Sequence, residues 1–350
     1  MGMIKIPNKS IEFFKNNIDE IFDSGFLAEG PWNKKISEYI KDVSSATYAI
    51  PTSSNGSGLV SLLNIYSYYF KRNKVLIQSN TMYGVKVMVP AGGCELVGFI
   101  DCRLESLMPS LDDVKNAICN FSENDKSKLI IMLSHIGGIN NPDIIEISQL
   151  CKEEDIVLLE DCAHSFGATN ENLHSGLFGN AGVYSFYSTK AIPVGEGGMI
   201  VTDDSEIGHY CKNYSIYDRF DQKMDIGFNN RISEPQALLA FSVIKEWKNI
   251  IHNKIEIARK YANVCDELGI DYISQNNDVL TGNYYKFVIY DSNETIENKF
   301  PKLKTKTSCV YDYSIGAPNP LAKHHACLPI WYGQETEITD RVIQELKECY

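Results

Sequence analysis

The stretch Asp155–Asp204, DIVLLEDCAHSFGATNENLHSGLFGNAGVYSFYSTKAIPVGEGGMIVTDD, constrains the fold more than any other part of the chain. It holds three short apolar runs, Ile156–Leu159, Ala181–Phe186 and Met199–Val201, each rich in Val, Ile, Leu, Tyr or Phe and bounded by Gly, Asp or Asn. Runs of this kind predict strands buried on both faces. Asp161 follows the first run and Lys190 comes a few residues after the second. The turn Gly195-Glu196-Gly197-Gly198 then leads into the third. Singly, an Asp after a strand is a common turn or cap residue, and a lysine is usually solvated. Together, an acid and a lysine at neighbouring strand ends match what pyridoxal phosphate (PLP) chemistry needs. Lysine holds the aldehyde as a Schiff base, and a carboxylate pairs with the pyridinium nitrogen.

The rest of the chain alternates helical and strand patterns. Residues 9–23 carry Ile11, Phe13, Phe14, Ile18, Ile21 and Phe22 at helical spacing and end near Ser24-Gly25. A turn, GFLAEGP, precedes a second helix with Ile36, Tyr39 and Ile40 on one face. Strands are expected at 46–50, 75–78, 95–100 and 128–133, with helices at 59–70, 111–121 and 144–152. This alternation predicts an α/β fold around a mainly parallel sheet with right-handed crossovers. A helix is expected to continue over 238–250. From about residue 251 the pattern changes to a long helix, 251–268, and short strands near 271–274, 284–290 and 308–311, followed by Cys327-Leu328-Pro329-Ile330 and closed by a helix at 338–349. The expected organisation is an N-terminal helix and turn (1–30), a large body (31–250) and a smaller C-terminal α/β unit (251–350).

Charge narrows the partners. A net charge of −12 argues against a general nucleic-acid or anionic-membrane binder, while leaving room for a local basic pocket. The ten cysteines are spread along the chain without a CxxC pair, so neither a zinc site nor a redox motif is indicated, and they read as free thiols of a reducing compartment. The N-terminal residues mix charges into their apolar pattern and read as neither signal peptide nor membrane span, so a cytoplasmic location is expected.

The segments EDCAHSFGA (160–168), FGNAGVYSFYSTK (178–190) and GEGGMIVTDD (195–204) closely resemble the DegT/StrS family of PLP-dependent sugar aminotransferases. The resemblance implies the three-layer α-β-α large domain and smaller C-terminal domain of fold-type-I PLP enzymes. It implies that Lys190 carries PLP and that Asp161 faces the ring nitrogen. The turn PTSSNGSG opens a helix, where free N–H groups favour an anion. There the family cradles the PLP phosphate, which carries over to Gly56, Ser57 and Gly58, with Ser57 for the usual Thr. Ser185 matches a further phosphate contact, and His164 the residue that reaches the phenolic oxygen. Met82 stands where the family has an aromatic that stacks on the ring, with Tyr83 beside it; the sequence leaves both open. His135 reads as a structural histidine. GFNNRISEPQA (227–237) resembles the segment whose Asn crosses a dimer interface to the partner's phosphate, implying that role for Asn229 and a homodimer. Tyr311-Asp312-Tyr313 and His324-His325 depart from the family's motifs in the substrate loop.

The implied reaction moves an amino group from L-glutamate or L-glutamine to a keto-sugar, most often nucleotide-linked. Sugar 3-dehydration is the alternative within the family, but its members carry His at the position of Lys190. Relatives that aminate a non-nucleotide ketone such as a cyclitol precursor are another. A cofactor-binding regulator without turnover would predict a broken lysine–aspartate pair, and here the pair is intact. No metal is expected.

Overall fold

The structure, a computed structural model, describes residues 4–217, 223–311 and 321–350. In chain order the strands are β1 (Tyr48–Thr52), β2 (Lys74–Gln78), β3 (Glu95–Ile100), β4 (Leu129–Ser134), β5 (Val157–Cys162), β6 (Thr169–Asn170) and β7 (Leu173–His174). They continue as β8 (Ala181–Ser185), β9 (Gly198–Thr202), β10 (Asp271–Tyr272), β11 (Leu280–Thr281), β12 (Phe287–Tyr290) and β13 (His325–Leu328). Seven strands form the central sheet in the order β1-β9-β8-β5-β4-β2-β3. Its body is parallel, and β9 runs against both of its neighbours.

Both faces of the sheet are buried, and the period of two decides which side chain goes where. Leu159, Ile130 and Met132 face the helices Asn55–Phe70, Tyr83–Ala91 and Ser205–Tyr214. Leu158, Ile131 and Leu133 face the helices Leu111–Ile118 and Ile144–Glu153 on the other side. This is the α/β three-layer arrangement expected. The N-terminal helix Asn8–Ser24 packs on Glu234–Ile244 together with Pro31–Ser44. Buried Glu234 ties these pieces, accepting from the backbone N–H of Gly30 (2.9 Å), Trp32 (2.7 Å) and Asn33 (3.0 Å). These donors are the orphan groups of a helix start.

The C-terminal part adds an antiparallel sheet, β10-β12-β13, covered by Trp247–Leu268 and Thr336–Lys347. Several expectations shift. β5 runs through Cys162, so Asp161 lies in the strand rather than after it. Its register partners are Ser134 and Val183. Charges at 160 and 161 look like terminators, but both carboxylates meet buried donors. The helix expected over 238–250 ends at Ile244, and the next, Trp247–Leu268, begins before the expected division at 250/251. Residues 308–311 form no strand; Thr307 alone bridges Cys327. Asp312 and Tyr313 lie outside the described residues. Helix Tyr83–Ala91 is absent from the sequence reading because Gly84 and Pro90 interrupt its pattern.

Candidate active site

The C-terminal ends of β2, β4, β5 and β8 bring Gln78, Ser134, Asp161 and Ser185 to one edge of the sheet, the usual ligand edge of such folds. A cavity of about 950 Å³ opens there, near the upper end of the roughly 300–1,000 Å³ of small-molecule sites. Gly56, Met82, Asp161, His164, Ser185 and Lys190 line it, so six of the residues singled out in the sequence converge.

Asp161 is buried, and donors hold both its oxygens. Oδ1 accepts from Asn55 Nδ2 (3.1 Å) and the Ala163 N–H (3.1 Å), and Oδ2 from Ser134 Oγ (3.0 Å). Lys190 sits half-buried on the turn after β8, its N–H donating to the Tyr187 carbonyl (2.9 Å). Burial pushes its amine down to about 8, against the opposing pull of Asp161. Its Nζ lies 4.9 Å from the centre of the Tyr285 ring.

His164 stacks on Tyr285 with ring centres 4.0 Å apart, and its Nε2 is 2.9 Å from the Tyr311 hydroxyl. Burial first, then the charges of Lys190, Lys286 and Lys254, hold its imidazole well below the usual pKa, so the ring is neutral. Its Nδ1 is buried without a hydrogen-bond partner among the described residues. A buried polar atom of this kind calls for a partner outside the chain.

The first turn of Asn55–Phe70 carries the anion end. Ser54 and Ser57 form a reciprocal capping box, which starts the helix four residues before the expected Leu59. Ser54 Oγ accepts from the Ser57 N–H and Ser57 Oγ from the Ser54 N–H, both at 3.0 Å. Asn55 and Gly56 line the cavity at helix positions whose N–H groups have no intrahelical acceptor. Ser57 and Gly58 do not line it. Ser57 is spent on the cap. Gly58 lets the helix approach the sheet, since a Cβ there would lie 2.6 Å from Val183 Cγ1. Met82 lines the cavity, whereas Tyr83 is outside it and exposed. Asn229 is also exposed and outside it, its Oδ1 accepting from the Arg231 N–H (3.3 Å).

A retained amine of lowered pKa, a buried carboxylate, an unpartnered imidazole nitrogen and a helix start at one cavity fit the polar groups of PLP: aldehyde, ring nitrogen, phenolic oxygen and phosphate. His135 does not belong to this set. It bonds Glu160 Oε2 through Nε2 (2.7 Å) and accepts from the Asn141 N–H through Nδ1 (2.9 Å). Glu160 also accepts from the N–H groups of Gly176, Phe178 and Gly179. The buried group His135, Glu160 and Cys162 is thus tied into the surrounding backbone through Glu160 and His135.

Sequence reasoning missed Asn55, Ser134, Tyr285 and Lys286. Asn55 stands in the turn PTSSNGSG, next to the Gly56, Ser57 and Gly58 that the resemblance implies. Tyr285 and Lys286 reach the site through tertiary pinning. Lys286 N–H donates to the Gly137 carbonyl (2.9 Å), and Asn283 Nδ2 to the His164 carbonyl (2.7 Å). Gly138, at φ +109°, permits this approach; a Cβ on it would lie 2.6 Å from Tyr285 N.

This fold and site fit a PLP-dependent enzyme. Over 99% of the chain and 98% of the other, the structure superposes on PseC of Helicobacter pylori, an aminotransferase involved in the biosynthesis of pseudoaminic acid, with TM-score 0.84 at 19% identity. The chain belongs to the DegT/DnrJ/EryC1/StrS aminotransferase family, whose model matches residues 8–347. It is similar to GDP-perosamine synthase of Escherichia coli O157:H7, at 26% identity over 71% of this chain and 67% of that protein. It is also similar to GDP-4-keto-6-deoxy-D-mannose 3-dehydratase of E. coli O55:H7, at 30% identity over 55% of this chain and 49% of that one. Among the described residues, no helix is long and apolar enough to cross a membrane.

Proposed function

We propose that the protein transfers an amino group from L-glutamate or L-glutamine to a nucleotide-linked keto-sugar, using PLP held on Lys190. The carrying observation is the convergence of Lys190, Asp161 and the unpartnered Nδ1 of His164 in one cavity. When bound, PLP supplies an electron sink that makes the donor's Cα–H acidic and carries the amino group between substrates.

The chain's own residues do the rest. Asp161, fixed by Asn55, Ala163 and Ser134, holds the proton on the ring nitrogen. His164 Nε2 pairs with the Tyr311 hydroxyl; in the tautomer with the ring proton on Nδ1, that hydroxyl is the donor and Nδ1–H would face the phenolic oxygen. Asn55, Gly56 and Ser185 receive the phosphate beside the helix start. With PLP bound, the free amine of Lys190 would be the group that takes the proton from the donor Cα and returns it on the cofactor side, in the reverse order for the acceptor. Its lowered pKa suits both roles. Met82, which lines the cavity, would cover the ring with its thioether.

Two copies share their sites in this reading, Asn229 of each completing the other's phosphate cradle. Its exposure outside the one-chain cavity supports this. Among the described residues, those up to 30 brace the large body, those of 31–250 bind the cofactor, and those from 251 on form the smaller unit that contributes Tyr285 and Tyr311. Ten free cysteines suit a reducing cytoplasm. The similarity to a 3-dehydratase keeps dehydration as the second reading, and a lysine at 190 favours transamination. Purified protein is expected to be yellow and to change absorbance on adding L-glutamate. Colour without that change, or a fully active monomer with unaltered PLP affinity in Asn229→Ala, contradicts the proposal.

A further inference from the structure

Among the described residues, the amine of Lys190 makes no hydrogen bond and no ion pair. Asp161, whose charge it feels, has both oxygens held by Asn55, Ser134 and the Ala163 N–H. What the amine meets is an aromatic face. Its Nζ lies 4.9 Å from the centre of the Tyr285 ring, inside the roughly 6 Å reach of a cation–π contact. The same ring carries His164, stacked at 4.0 Å with 25° between the planes. Tyr285 comes from the segment just before β12, distant in sequence from both partners.

That ring is built into place. Asn283, fully buried, accepts from the Tyr285 N–H through Oδ1 (2.8 Å) and donates through Nδ2 to the carbonyls of His164 (2.7 Å) and Phe166 (2.9 Å). One amide thus ties together the backbone under both stacked rings. The Asn283 N–H donates to the Gly138 carbonyl (2.8 Å) and the Lys286 N–H to that of Gly137 (2.9 Å), so the chain is held on either side of Tyr285. A segment fixed beforehand loses little entropy when its side chain takes up a partner.

We infer that Tyr285 is a positioning residue for the amino transfer: its ring face receives the Lys190 ammonium whenever that amine is not bonded to the cofactor, and keeps it in the cavity rather than in water. The role rests on the transaminase reading and adds where the lysine waits. When the Lys190 lone pair takes a proton from the donor, the group gains a full positive charge, which burial resists. The negative face of an aromatic ring stabilises that charge and leaves all three N–H bonds free to pass the proton on. A carboxylate there would raise the pKa further and make the proton harder to release. The other groups around the amine are Asp161 on β5, Tyr187 on its own turn, Glu196 on the cavity lining, neutral His164, and Lys286, whose Nζ is 5.7 Å from the same ring centre.

The test reads the Lys190 amine without cofactor. Cofactor-free protein is labelled with limiting acetic anhydride across a pH series, and acetylation of Lys190 is followed by mass spectrometry. Wild type is expected to reach half of its full reactivity at about 8. Tyr285→Leu removes the ring face and is expected to move that midpoint down by about 0.4–1.5, the worth of one cation–π contact. Tyr285→Phe keeps the face and is expected to match wild type. A ring-fluorinated phenylalanine at position 285 keeps the shape but drains the face; it is expected to follow the Leu variant, and it carries the test should Tyr285→Leu fail to fold. In PLP-loaded protein, Tyr285→Leu is expected to slow the L-glutamate-driven absorbance change about two- to thirtyfold, with Tyr285→Phe unchanged. A midpoint that stays or rises without the ring face, or that moves equally in Tyr285→Phe, overturns the role. A chain that takes up no PLP instead sinks the transaminase reading, and the labelling midpoint then still shows whether Tyr285 holds the amine.

Discussion

Glu160 and Asp161 are adjacent in β5 and face opposite sides of the central sheet. Asp161 follows Leu159 toward Asn55 and the cavity, and Glu160 follows Leu158 toward His135 and the loop Gly176–Gly179. The pleat thus gives two neighbouring carboxylates separate tasks, one chemical and one structural.

Removing the structural one is expected to damage the fold. Glu160→Ala leaves three backbone N–H groups and His135 Nε2 without an acceptor in a fully buried place. The expected loss is about 3–5 kcal/mol, as for breaking a buried charged network. Urea denaturation read by circular dichroism checks it, and a near-neutral result contradicts the role.

Removing the chemical one is expected to leave the fold and slow the reaction. Asp161→Asn retains shape but loses the charge that holds the ring-nitrogen proton. The expected fall in kcat is about 10²–10³-fold, the scale for one preorganised electrostatic contact. Steady-state kinetics with L-glutamate, beside a denaturation curve, separate this from instability.

Glycines near the phosphate end divide by what they touch. A Cβ on Gly58 would sit 2.6 Å from Val183 Cγ1, between the helix and the sheet. On Gly56 it would meet the methyl end of Met88 at 2.8 Å, a flexible group that can move. Gly58→Ala is expected to destabilise by about 1–3 kcal/mol, the range for overpacking. Gly56→Ala is expected to change stability less, which thermal denaturation of the pair measures.

The lowered pKa of Lys190 sets a pH dependence. Only the neutral amine attacks an aldehyde. Its rate of PLP capture by cofactor-free protein is therefore expected to rise with pH and level off above about 8. An ordinary lysine would keep gaining rate toward about 10.4. Stopped-flow absorbance from pH 6 upward distinguishes the two.

Much of this was legible in the chain. The buried strands announce themselves as continuous apolar runs, and the lysine and aspartate at 190 and 161 stand out because they follow such runs. The local rules failed where tertiary partners decide. Asp161 looked like a strand end because nothing in the sequence tells that Asn55 and Ser134 await it. Tyr285 and Lys286 read as strand residues, yet the loop Gly137-Gly138 holds them over the site from well over a hundred positions away. The resemblance implied Ser57 as a phosphate contact, and its hydroxyl completes the cap with Ser54 at the helix start that Asn55 and Gly56 open. The helix Tyr83–Ala91 hid behind its Gly and Pro.

The most direct measurement is to reduce the PLP-loaded protein with borohydride and map the labelled peptide by mass spectrometry. The account predicts one phosphopyridoxyl group, on Lys190, and none after Lys190→Ala. A label on Lys254, Lys286 or any other lysine in wild type, or retained labelling at wild-type level in Lys190→Ala, would contradict it.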